Sequence, residues 1–137
     1  MSWGENYFEI PGLGTLTDLS AKQFYAVMLD TANALTVTAI TAVTNRPIGI
    51  LQDNPKGTAT ARVAANVAHL GVCKAICSGG WTRGDRLGVT ATGALKTITE
   101  ATQTTDTAYT IAVAIDSASD GDIARVDVVS AYLSNAQ

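Results

Sequence analysis

"RPIGILQDNPKGTATARV", from Arg46 to Val63, and "TIAVAIDSASDGDIARV", from Thr110 to Val126, read as one object written twice. Setting Ile48 on Ile111 also sets Ile50 on Val113, Asp53 on Asp116 and Ala61-Arg62-Val63 on Ala124-Arg125-Val126. Each copy is an apolar run, a polar turn and a second β-prone run, which is the pattern of a strand, a turn and a strand. Upstream the copies agree at a register three residues shorter: "LDTANAL" (Leu29 to Leu35) lies over "VTATGAL" (Val89 to Leu95). There Asn33 falls on Gly93, and Asn and Gly adopt positive φ most readily, so both copies are expected to turn through a left-handed residue at this place. The hairpin turns are assigned to "NPKG", with Pro55 at its second position and Gly57 closing it, and to Asp120-Gly121.

Duplication of a strand-turn-strand unit predicts a mainly β fold, a small pseudo-symmetric β-barrel or sandwich whose halves bury their apolar faces together. The pseudo-repeats span about 24–72 and 81–129 within a single β-domain, 21–137. Residues 1–20 combine aromatics with the breakers Pro11, Gly12 and Gly14 and show no sustained period. They are read as an extended N-terminal arm. Strands are expected at "FYAVMLD", "ALTVTAI", Pro47 to Gln52 and "ARVDVVSAYL", and "TATARVAANVAHLGVCKAIC" is long enough for two strands or one bent one. "DLSAKQF" could hold a short helix capped at Asp18 or Ser20.

With 137 residues, 47% of them hydrophobic and 15% charged, the chain can bury an ordinary core without a metal or a disulfide. Its net charge of −3 and scattered basic residues argue against a nucleic-acid or anionic-membrane partner, since both are held by clustered Lys and Arg. No apolar stretch is long enough to span a bilayer as a helix, and the N-terminus does not read as an export signal. Cys73 and Cys77 on one strand face are about 13 Å apart, too far to bridge, and read as free thiols of a reducing cytoplasm.

Few residues carry chemistry. His69 is the single histidine, and no nucleophile motif accompanies it. His69, Cys73 and Cys77 share a face, yet on a strand the outer pair lies about 26 Å apart, beyond any zinc sphere. "DSASDGDIARVD" resembles a calcium loop only in part, because Ala118 stands where a ligand is required and no helices flank it. Arg83-Gly84-Asp85 reads as turn chemistry rather than an adhesion motif, and "PGLG" and "SGGWTRGD" lack the strand-to-helix context of a phosphate loop. No catalytic set, metal or cofactor is expected. A binding or structural module, not an enzyme, is the reading that remains.

The order "DLSAKQFYAVMLD", "NRPIGILQDNPKGTATARVA", "GDRLGVTATGAL", "YTIAVAIDSASDGDIARVDVV" resembles the capsid decoration, or cement, proteins of tailed bacteriophages. Arg46-Pro47-Ile48-Gly49 and Gly84-Asp85-Arg86-Leu87 match that family's pattern, while Ala112 departs from its frequent Gly. The resemblance, over about residues 18–129, implies a β-rich protein made in the host cytoplasm that binds the outer surface of a phage head. It further implies the major capsid protein as partner, self-association as a homotrimer, and stabilisation of the capsid lattice. Trp3, Tyr7, Phe8 and Ile10 of the arm are then the expected contacts to capsid or to a neighbouring copy, because large aromatics are the usual interface anchors. Two other classes stay open. One is a receptor- or glycan-binding module using Trp81 and Tyr132; the other is a lipoyl or biotinyl carrier domain with Lys56 at a hairpin tip, although Pro55 replaces the residue such carriers place before the lysine.

Overall fold

The computed structural model describes residues 6–99 and 109–133. Their elements are all strands: β1 (Asn6–Glu9), β2 (Gly14–Thr15), β3 (Ala26–Leu29), β4 (Val37–Ala39), β5 (Gly49–Leu51), β6 (Val63–Ala64), β7 (Val67–Ile76), β8 (Arg86–Val89), β9 (Leu95–Thr97), β10 (Tyr109–Ala114) and β11 (Ile123–Leu133). One antiparallel sheet runs β4-β3-β5-β7-β11-β10-β8-β9 and curls into a half-barrel, and β2 pairs β6 in a small second sheet. The order is palindromic about the β7–β11 junction. Hairpin β3–β4 answers β8–β9, β5 answers β10, and β7 answers β11, so each half of the duplicated sequence builds one half of the sheet.

Pairing register fixes which residues correspond, and it revises two sequence alignments. Leu51 pairs with Val67 and Ala114 with Val126, so Val67 is the counterpart of Val126. The identical Ala-Arg-Val triplets are therefore not equivalent. Ala61 closes a turn with Thr58 instead, and this turn, not "NPKG", reverses the chain. Likewise Leu29 pairs with Val37 and Val89 with Leu95, which puts Leu35, not Asn33, opposite Gly93 in the repeat. Leu35 has φ 54° and Gly93 has φ 92°. The same holds at the entry to each hairpin, where Phe24 (φ 71°) corresponds to Gly84 (φ 88°), each two residues before its strand.

Residues 1–20 are extended where described but not detached. β1 lies antiparallel along β7, Leu13 and Leu19 are buried, and the Gly57 and Leu19 amides donate to the Thr17 and Pro55 carbonyls. The domain boundary at residue 20 therefore moves back to at least Asn6. Each of those leucines contributes about 1.5–3 kcal/mol of burial, far more than the breakers at Pro11 and Gly12 can undo. No helix forms at "DLSAKQF"; Asp18 Oδ1 instead accepts from the Ser20 amide and hydroxyl, a local turn that competes with helix.

Counterparts also occupy matching cores. Leu13, Val27, Val37, Leu51 and Val67 form one cluster, and Cys73, Leu87, Leu95, Ala114 and Val126 lie at the corresponding places in the larger cluster. Leu13 and Cys73 stand sixty positions apart, as do Val27 and Leu87. The Gly57 amide bonds the Thr17 carbonyl as the Gly121 amide bonds that of Cys77. The segment from Leu13 is thus the first repeat's own opening strand. β7 serves both repeats: its start pairs with β5, and its remainder pairs with β11. Just past β7, Cys77 bridges Leu95 in parallel.

Candidate interaction surface

The alternation of β1 divides the expected arm contacts. Tyr7 faces inward, packs on the main core, and its hydroxyl accepts from Asn66 Nδ2 at 3.1 Å. Ile10 packs on the smaller core, and its amide donates to the Val67 carbonyl. Both anchor the segment to its own domain. Phe8 points the other way, is 76% exposed, and stands directly opposite Leu70, itself exposed, on β7. Trp3 lies outside the described residues.

Phe8 and Leu70 sit on the outer face of the sheet, where directly opposed residues share a side. The next row on that face reads Asn6, Val72, Asp127, Val113, Arg86 across β1, β7, β11, β10 and β8. Ile115, whose amide bonds the Arg125 carbonyl, and Ile123 continue it. Of the eight large apolar residues exposed among the described residues, five (Phe8, Leu70, Val113, Ile115 and Ile123) lie here. This concentration on one face makes it the candidate interaction surface. Sequence reading found Phe8 and missed the rest, because Thr110-Ile111-Ala112 and Val67-Ala68 are buried in succession around strand irregularities and simple alternation does not pick out the outward residues.

The chemistry-bearing candidates are placed apart or engaged. His69 Nδ1 lies 3.0 Å from the Ile48 carbonyl oxygen, while Cys73 and Cys77 are buried in the main core. Burial pushes the Cys77 thiol up, which keeps it protonated and unreactive. No group of three His, Cys, Asp or Glu side chains able to hold a metal occurs among the described residues. Asp116 does not join a calcium loop; Arg125 grips it with two hydrogen bonds, of 2.7 and 3.0 Å. In Arg83-Gly84-Asp85 the carboxylate of Asp85 turns inward, accepting from the Thr82 amide and Thr97 Oγ1, so the tripeptide presents no free acid.

Two residues behind the other readings are also relocated. Trp81 is buried, with Nε1 donating to the Asp116 carbonyl, and offers no exposed platform for a sugar. Lys56 is exposed but bridges Asp18 beside the Leu13–Leu19 segment, away from the Thr58–Ala61 turn, so it does not cap a hairpin as a carrier lysine does.

The sequence matches no family profile and no curated protein. Its fold is similar to the head fiber gp8.5 N base in bacteriophage phi29, with TM-score 0.64, over 95% of this chain and 98% of that one, at 11% sequence identity. At that identity the likeness is one of fold.

Proposed function

We propose that this chain is a structural virion protein, present on the outer surface of a phage head, that stabilises the capsid lattice as a decoration or cement protein. The observation that carries the reading is the outward sheet face with the Phe8–Leu70 pair at its β1 margin, on a fold shared with a head fiber base. An apolar face of this kind acts by binding. The role proposed is one of binding, without cofactor or turnover.

The partners in this reading are the major capsid protein and further copies of the chain, as a homotrimer. The mechanism is mass action: a protein that binds the assembled lattice and not its free subunits stabilises the lattice by its binding free energy. Phe8 supplies the anchor to the head, since an exposed aromatic on a rigid strand loses little entropy on docking. Synthesis is in the host cytoplasm.

Incubating the purified protein with undecorated heads and imaging them by electron cryomicroscopy tests the proposal. Added density at regular lattice positions, with heads that resist heat better than bare ones, is the expected result. Bare lattices at saturating protein would refute it.

A further inference from the structure

Asp127, Val113 and Arg86 stand side by side on β11, β10 and β8 as direct cross-strand partners. Val113 is 36% exposed while Ala112 and Ala114 beside it are buried, so the row points outward. Neighbouring strands lie about 4.8 Å apart, which holds the acid and the base about 10 Å from each other with an apolar residue between them. They do not pair with each other in the structure. Neither side chain has another hydrogen bond or ion pair among the described residues.

A row that runs acid, apolar, base is complementary to another copy of itself: the acidic flank of one chain meets the basic flank of the next, and the valines are covered together. We propose that this row is a self-association seam, in which Asp127 of one copy pairs with Arg86 of the next around Val113. Because Asp127 meets Arg86 and Arg86 meets Asp127 about a shared Val113 centre, the contact is isologous: it relates two copies by a two-fold axis and closes at the dimer. Pairing across the seam also explains the placement of the charges. They flank the valine as a polar rim flanks an apolar interface centre, where charges set register and exclude wrong partners. The inference adds a two-fold contact between copies to the preceding reading, and it depends neither on the homotrimer nor on what the assembled form binds.

Charge reversal tests it. The molar mass of the wild-type chain, Arg86→Asp, Asp127→Arg and an equimolar mixture of the two variants is measured by size exclusion with light scattering, with no heads present. The wild type is expected to be oligomeric. Each variant alone places like charges at the seam and should associate on the order of a hundredfold more weakly, running as a monomer with its melting temperature unchanged. In the mixture both charge pairs of a mixed dimer are opposite again, so it should re-associate. If a reversal unfolds the chain, Arg86→Gln and Asp127→Asn, which keep the shape, replace it and should weaken association less steeply. A monomeric wild type, variants that keep the wild-type mass, or monomeric variants that ignore each other on mixing would each overturn the seam. Head binding is assayed separately: a monomer that decorates heads refutes the seam and leaves the function, whereas an oligomer that binds no head does the reverse.

Discussion

Leu35 holds in the first repeat the left-handed position that Gly93 holds in the second, each two residues before the strand that closes its hairpin. The two are not interchangeable. A Cβ on Gly93 would lie 2.7 Å from the Ala26 carbonyl oxygen, because the Gly93 carbonyl accepts from the Ala26 amide and the two backbones touch. The Leu35 carbonyl likewise accepts from the Gly14 amide, but the Leu35 residue is 60% exposed. A non-glycine left-handed residue costs about 1–2 kcal/mol, while glycine loses about 0.5–1 kcal/mol of chain entropy. Leu35→Gly is therefore expected to hold or raise the melting temperature by a few degrees, and Gly93→Ala to lower it well below the parent. Thermal unfolding of the two variants checks this, and equal losses would refute the assigned correspondence.

Tyr7 and Phe8 are adjacent in sequence and opposite in role. Tyr7→Ala removes a partly buried ring and a hydrogen bond to Asn66, and should cost about 2–4 kcal/mol of stability. Phe8→Ala should leave the melting temperature within a few degrees of the parent and reduce head binding about thirtyfold, the loss of a roughly 2 kcal/mol anchor. Denaturant curves and head titrations on both variants separate the roles. A Phe8→Ala chain that binds heads as the parent does would remove the anchor.

Acid should weaken the fold through three depressed carboxyls. Hydrogen bonds from the Arg125 guanidinium hold Asp116 below its ordinary 3.8. The Ser20 hydroxyl and amide do so for Asp18, and the Asn33 side chain and Ala32 amide for Asp30. A carboxyl depressed in the folded state stabilises fully above its unfolded value, and that contribution disappears as pH falls through the folded one. Melting temperature should thus be flat toward neutrality with respect to these groups and drop below pH 3.8. Asp116→Asn should lower the neutral plateau and shallow the acid limb; an unchanged profile would show that the Arg125 contact contributes nothing, as exposed pairs often do.

Thr110 sits at the β10 bulge, 1% exposed, with its Oγ1 lacking a hydrogen-bond partner. A buried hydroxyl without a partner costs about 1–3 kcal/mol. Thr110→Val keeps the shape and removes the hydroxyl, so it should stabilise the chain by about 1 kcal/mol in urea unfolding. Destabilisation of that size would mean the hydroxyl is satisfied.

Much of this molecule is legible in its sequence because duplication repeats the local signals. The apolar runs around Ile50 and Val113, the alternation at Val126 and Val128, the glycines at Gly93 and Gly121, and the absence of helical periodicity together determine a mainly β, two-repeat domain. Local signals do not contain register. The shared Ala-Arg-Val letters suggested one alignment, and the ladder partners Leu51–Val67 and Ala114–Val126 impose another, since hydrogen bonding depends on loop length and not on residue identity. Nor could periodicity tell that Leu13 and Leu19 close a core, or that Tyr7 turns in while Phe8 turns out. Those outcomes depend on which edge of β7 the segment meets, and β7 is sixty residues away in the chain. Trp81 and the acid–valine–base row were decided in the same way: burial and juxtaposition arise when distant strands are brought side by side, which only the tertiary structure does.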